Sequence, residues 1–158
     1  MTLQSRCWLT SIAVLVGAAG CGGGSSTGPS EAQSFLAGTW RGTLTIQPGP
    51  GEPNPPAAAT GSTTWTFEVV PQSNQQTFRA TLVTDNSWLP ITTTGATAII
   101  PGNTPPAQIS TQGEYTSPRG CRGTFGSFGT AEATRIDAEF RGVDCSTTFT
   151  GRVVLQKN

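Results

Sequence analysis

The chain has 158 residues, with 9 basic and 9 acidic side chains and no histidine. This length is typical of a single domain. Zero net charge and a single lysine, Lys157, exclude the basic surface that nucleic-acid binding requires. The absence of histidine excludes Ser-His-Asp and Cys-His catalysis and imidazole metal sites. Only 11% of the residues are charged, and 26 threonines supply much of the polar surface instead.

The first twenty residues have the composition of a secretory signal peptide. One cation, Arg6, precedes an apolar run over residues 8–16, and small residues follow up to Gly20. The apolar run is too short to cross roughly 30 Å of hydrocarbon, which needs about 20 residues. We therefore expect residues 1–20 to be a signal peptide that is removed.

Ala18-Ala19-Gly20-Cys21 resembles the lipobox of bacterial lipoproteins, in which small residues precede a cysteine that is diacylated and becomes the first residue. Residues 21–34 are rich in Gly, Ser, Thr and Pro, the composition of a flexible linker. The resemblance implies lipidation at Cys21, a membrane partner through that anchor, and a location in the cell envelope on the extracytoplasmic side. Gly22 replaces the aspartate that commonly retains such proteins in the inner membrane, so an outer membrane is favoured if the organism has one.

Two cysteines remain in the expected domain, residues 35–158, once Cys7 is removed and Cys21 is acylated. Cysteines in an oxidising compartment usually pair, so the sequence predicts a disulfide between Cys121 and Cys145. Two thiolates without histidine or a second cysteine pair cannot complete a tetrahedral zinc shell. No metal and no other cofactor is predicted.

Alternation of apolar and polar residues, the pattern of half-buried strands, recurs along the domain. The predicted segments are centred on residues 40–46, 65–69, 78–82, 88–92, 96–100, 109–115, 121–125, 136–140 and 149–155. Short turn sequences separate most of them, which favours antiparallel neighbours. The sequence therefore predicts an all-β meander of about eight or nine strands, forming a small barrel or a β-sandwich. Glycines within the strands favour the barrel.

The connection between the first two predicted strands, residues 47–62, is rich in Pro, Gly and Ala and is too long for a hairpin turn. It could be a solvated loop or a lid over one mouth of the barrel.

Gly38-Thr39-Trp40, at the start of the first strand, is similar to the G-x-W signature of lipocalins and related calycin barrels. In that family the tryptophan plugs the closed end of the barrel, and a cation from near the chain terminus packs over it. The resemblance implies that Trp40 is the plug and that Arg152 or Lys157 supplies the cation. Such a cation–π contact contributes about 0.5 to 2 kcal/mol.

Charged residues alternate along the strand at residues 135–141, namely Arg135, Asp137, Glu139 and Arg141. The two carboxylates would lie about 7 Å apart, close to the spacing found in glycosidases. Solvated ion pairs are the more common role for such a ladder, because it lies opposite the apolar face. Since no other group of residues could activate a nucleophile, the sequence predicts a protein that is not an enzyme.

Two functions fit these elements. The first is a lipid-anchored binding module whose barrel holds an apolar small ligand. Its predicted binding residues are Trp65, Phe67, Phe78, Trp88 and Tyr115. The second is a structural or inhibitory envelope protein whose barrel is filled by its own side chains and whose partner is another protein. An eight-stranded barrel is just wide enough for either arrangement.

Overall fold

The computed structural model describes residues 35–50, 57–70, 77–101 and 104–158. Their strands form an antiparallel meander that closes into an eight-stranded barrel. The strands are β1 (Gly38–Pro48), β2 (Ala59–Val69), β3 (Thr77–Thr84), β4 (Thr92–Ile99), β5 (Ala107–Thr116), β6 (Arg122–Ala131), β7 (Arg135–Asp144) and β8 (Thr147–Lys157). The predicted all-β barrel is confirmed, and the alternative sandwich is excluded. The predicted signal peptide, the linker and Cys21 lie outside the described residues.

No helix in the described ranges is long and apolar enough to cross a membrane.

The barrel closes where β1 pairs with β8. Nine residue pairs join the two strands, from Trp40 opposite Lys157 to Pro48 opposite Phe149. All the other strand pairings join strands that are neighbours in sequence. This closure removes the free sheet edges that an open meander would leave at its first and last strands.

Two predicted boundaries are wrong. Residues 88–92 are not a strand, because a loop runs to Ile91 and β4 begins at Thr92. The connection between the first two strands is also shorter than predicted, since β1 continues to Pro48 and β2 already begins at Ala59. In both places composition was misleading. The apolar run belongs to a buried loop, and a segment rich in Pro, Gly and Ala supplies strand ends.

The loop before β4 is held in place by the buried amide of Asn86. Its Nδ2 donates hydrogen bonds to the carbonyl oxygens of Leu44 (3.1 Å) and Ala59 (2.7 Å). Its Oδ1 accepts hydrogen bonds from the backbone N–H groups of Trp88 (3.0 Å) and Leu89 (3.2 Å). Asn86 therefore joins this loop to the first two strands and positions the apolar side chains that follow it.

Inward aromatic rings in the second half of the barrel lie opposite glycines on neighbouring strands. The cross-strand pairs are Tyr115–Gly123, Phe125–Gly113, Phe125–Gly142, Phe149–Gly142 and Phe140–Gly151. An added Cβ at Gly123 would lie 2.2 Å from Cζ of Tyr115, and one at Gly142 would lie 2.5 Å from Cζ of Phe149. At Gly113, Gly123 and Gly142 a ring thus occupies space that a side chain would need, whereas an added Cβ at Gly151 would meet Thr45 and Ile46 on β1.

We expect Gly123→Ala to destabilise the protein by about 2 kcal/mol, because the Tyr115 ring must leave its position or the strands must separate. Gly126→Ala on the same strand is the matched control. An added Cβ there is 3.7 Å from its nearest contact, the carbonyl oxygen of Thr111. Its effect should stay within about 0.5 kcal/mol. Urea unfolding of both variants measures the difference, and equal midpoints would contradict the steric argument.

Candidate functional site

The aromatic residues predicted to bind a ligand are core residues of the barrel. Trp65, Phe67 and Phe78 are each 1% exposed, and Tyr115 is 5% exposed. The Trp65 ring lies 6.1 Å from that of Phe67, nearly perpendicular to it. Trp88 differs from the other four, because it comes from the loop before β4 and is only partly buried. The four residues on strands thus face the barrel interior, and their role in ligand binding stays a prediction.

Five aromatic rings, two of them from the predicted set, contact one another along the barrel interior. Phe140 stacks on Phe125 at 5.3 Å and on Phe149 at 5.8 Å, measured between ring centroids. Trp65 joins this group beside Phe140 at 6.2 Å, and Trp88 joins it beside Phe149 at 5.6 Å. We call this group of five the aromatic column. It occupies positions in the barrel interior where a ligand of a hollow barrel would lie.

One end of the barrel is closed by Trp40, which is fully buried. Its Nε1 donates a 2.7 Å hydrogen bond to the carbonyl oxygen of Leu36, which ties down the segment before β1. The ammonium of Lys157 lies 5.4 Å from the Trp40 ring centroid and also donates to the carbonyl oxygen of Phe35. Trp40 is thus buried at the barrel end, as predicted. The cation over it is Lys157 and not Arg152, which points outward from β8 and pairs with Asp137.

The opposite end of the barrel carries a buried carboxylate. Asp144 accepts a 3.1 Å hydrogen bond from the hydroxyl of Tyr115, and Nε of Arg119 lies 3.7 Å from its other oxygen. The Arg119 guanidinium also lies 5.5 Å from the ring centroid of Trp88. Arg119 therefore links the loop before β4 to the β5–β6 turn.

The predicted disulfide between Cys121 and Cys145 is present at the same end, with a Cα–Cα distance of 5.4 Å. It joins the β5–β6 turn to the β7–β8 turn, in which Cys145 adopts a positive φ of 57°. One oxygen of Asp144 and the two sulfur atoms lie within 4.8 Å of one another. Both sulfurs are used in the disulfide, so this group offers no thiolate to a metal.

Burial is the main cause that raises the pKa of Tyr115, and the charge of Asp144 and its hydrogen bond add to the shift. An unfolded chain ionises tyrosine near pH 10. A raised pKa in the folded state means that the contribution of Tyr115 to stability is complete below that pH and is lost as the pH rises above it. Tyr115 is the single tyrosine of the chain, so its ionisation can be measured without interference.

We therefore expect no tyrosinate absorbance in the folded protein at pH 10 to 11, and falling stability above about pH 10. Near-ultraviolet absorbance reports the ionisation, and circular dichroism reports folding over the same titration. The urea-unfolded chain, which should titrate near pH 10, is the control. A midpoint near pH 10 with the barrel still folded would contradict the buried Tyr115–Asp144 pair.

The charge ladder on β7 lies on the outer face, as predicted. Arg152 donates two 2.7 Å hydrogen bonds to Asp137, and Arg135 donates a third at 3.0 Å. These hydrogen bonds, led by those from Arg152, lower the pKa of Asp137 to about 2. A carboxyl group with this pKa carries no proton near neutral pH. It therefore cannot act as the general acid of a hydrolytic pair with Glu139.

Open clefts interrupt the outer wall. A cleft of about 570 Å³ lies where β4 and β5 separate beyond their last paired residues, Thr97 and Gln112. There the Thr93 hydroxyl donates across the gap to the carbonyl oxygen of Glu114 at 2.7 Å. A larger cleft of about 1050 Å³ lies over β6, β7 and β8 and contains Phe128, whose side chain is 58% exposed.

Sequence reasoning did not select Phe128 as a site residue. A signal existed in the sequence. Residues 123, 125 and 127 of β6 face inward, so residue 128 is expected to face outward, where a large apolar ring is unusual. The cleft around it could not be read from the sequence, because it depends on the curvature of three adjacent strands.

No known protein-family model matches the chain, and no curated protein matches it with significant similarity.

Proposed function

We infer that this protein is a lipid-anchored, extracytoplasmic binding protein whose barrel is solid and whose outer wall contacts its partner. The observation that carries this proposal is the aromatic column, whose five rings occupy the barrel interior in mutual contact. An eight-stranded barrel has room either for such side chains or for one small ligand, but not for both.

Both ends of the barrel also favour an interior filled by side chains over one that holds a ligand. At one end Trp40 is fully buried beneath Leu36 and the Lys157 ammonium. At the other, the loop fixed by Asn86 brings Trp88 against Phe149, which adds the last ring of the aromatic column. A carrier of apolar molecules needs an entrance at one of these ends. Side chains cover both of them, so the outer surface is the favoured place for recognition.

The anchor is proposed from the sequence at Cys21, with its preceding small residues and the Gly-rich stretch that follows. The Cys121–Cys145 disulfide supports an extracytoplasmic location, because disulfides persist in oxidising compartments and are rare in the cytosol. Two or three acyl chains, each contributing about 0.8 kcal/mol per buried methylene, would hold such a protein at a membrane permanently.

The anchor can be tested by expressing the full chain and its Cys21→Ala variant in a bacterial host. We expect the parent protein to enter the detergent phase in a temperature-induced phase separation and the variant to stay in the aqueous phase. Cys7→Ala is the control, because that residue belongs to the segment expected to be removed. If the Cys21→Ala variant also enters the detergent phase, the anchor lies elsewhere.

The solid interior can be tested with fluorescent apolar probes titrated into the full chain produced without acylation, so that no acyl chain binds the probe. We expect no saturable binding at micromolar probe concentrations, because the aromatic column leaves no vacant apolar site. The measurement is made below the critical micelle concentration of any detergent, with a hollow lipocalin as the positive control. Saturable binding with one site per chain would restore the ligand carrier as the better hypothesis.

A further inference from the structure

The large outer cleft combines an exposed aromatic ring with hydrogen-bonding side chains of both charges. It has a volume of about 1050 Å³ and crosses β6, β7 and β8. Its lining includes Gln108, Phe128, Asp137, Glu139, Arg141 and Arg152. A concave site with one apolar surface and several polar groups around it is typical of small-molecule and polymer recognition.

Phe128 is the most exposed large apolar side chain in the described ranges, at 58%, compared with 44% for Val83 and 38% for Val143. A single exposed apolar side chain is ordinary. Phe128 differs because it lies inside a cleft and has polar residues on both sides, Ser110 across β5 and Glu139 across β7. Its ring therefore offers a flat apolar surface bordered by groups that form hydrogen bonds.

The ion pairs of this wall leave two charged groups available. Glu139 lies directly opposite Arg152 in the β7–β8 pairing. Arg152 nevertheless donates both of its short hydrogen bonds to Asp137. Glu139 and Arg141 consequently take part in no ion pair with any other residue that the structure describes. A carboxylate directly opposite Phe128 and a guanidinium two residues further along β7 are thus outside these ion pairs.

The charges of the side chains that line the cleft cancel, which favours an uncharged ligand. Asp137 and Glu139 carry two negative charges, and Arg141 and Arg152 carry two positive charges. Within this lining, the attraction of a polyanion to the arginines is opposed by its repulsion from the carboxylates. The available groups are instead matched to hydroxyls. A carboxylate accepts hydrogen bonds with two oxygens, a guanidinium donates through five N–H groups, and a hydroxyl both donates and accepts.

We propose that the cleft around Phe128 binds a neutral, hydroxyl-rich glycan chain. A sugar ring has a face of C–H groups that can pack on the Phe128 ring, and a rim of hydroxyls that Glu139, Arg141 and Gln108 can bind. Because the cleft crosses three strands and is open to solvent, a chain of several sugars can lie in it without threading. This inference rests on the proposed function, since it assigns the ligand of the outer wall.

A protein partner is the less favoured occupant of this cleft. Stable protein interfaces bury about 800 Å² on each side and have an apolar centre. On β6 and β7, Phe128 and Val143 are the exposed large apolar side chains in the described ranges. Their paired positions, opposite Glu139 and Thr124, are four residues apart along both strands, so they do not form one patch. A single ring among polar groups fits a sugar better than an apolar interface.

The test is retention of the full chain on insoluble neutral glycans of different linkage, namely cellulose, chitin and curdlan, with alginate as the anionic comparison. The protein is kept in a polyoxyethylene detergent, which has no sugar headgroup to compete. We expect retention on at least one neutral glycan and not on alginate. Phe128→Ala should weaken that affinity at least tenfold, and Phe128→Tyr should preserve it. Glu139→Gln and Arg141→Gln should each weaken it several-fold.

Val83→Ala, an equivalent truncation on the opposite wall at β3, is the matched control and should leave retention unchanged. All of these positions are exposed, so each variant should unfold at the parent temperature, which is checked by circular dichroism. Failure of every neutral glycan to bind, binding to alginate instead, or retention unaffected by Phe128→Ala would each overturn the glycan inference. A protein partner whose capture depends on Phe128 would also overturn it, while leaving the proposed outer-wall function intact. Saturable uptake of apolar probes would contradict the proposed function itself.

Discussion

The architecture depends on a steric constraint inside a narrow barrel, where a ring on one strand requires the absence of a side chain on the next. Tyr115, Phe125 and Phe149 each have a glycine as a cross-strand partner whose added Cβ would meet the ring. The rings cover backbone that a Cβ would otherwise shield, and the glycines let the rings reach the barrel axis. Because these rings lie in the barrel interior, we propose that recognition takes place on the outer wall, where the ion pairs and clefts lie.

Much of the fold could be predicted from the sequence, because alternation assigns each side chain of a strand to one face. Residues 136, 138 and 140 were expected to face inward and do so, while Asp137 and Glu139 face outward. The same alternation rule indicates which residue supplies the cation over Trp40. Lys157 has the inward parity of Val153 and Leu155, whereas Arg152 has the outward parity. Cation–π energetics alone does not decide between these two cations.

Other features depend on contacts between distant parts of the chain, and local patterns do not contain them. Residues 88–92 have the apolar composition of a strand, but their conformation is set by Asn86 bonding to Leu44 and Ala59, 42 and 27 residues earlier. The Phe128 cleft has the same origin. Its ring is visible in the sequence, whereas the free state of Glu139 follows from Arg152 bonding to Asp137 on a neighbouring strand. Sequence alternation therefore predicts which side chains of a strand face inward, whereas contacts between distant residues determine the surroundings of Phe128.

The closure between β1 and β8 has a consequence for how the chain folds. Seven of the eight strand pairings join neighbours in sequence and can form as hairpins, which are local and fast. The eighth joins residues as distant as Trp40 and Lys157, so it carries the largest loop-closure entropy of the barrel. Before β8 is available, the sheet has two unpaired edges, and its apolar face lacks Val153 and Leu155. Pairing of the eleven-residue strand β8 thus converts an open sheet, whose unpaired edges favour aggregation, into a closed one.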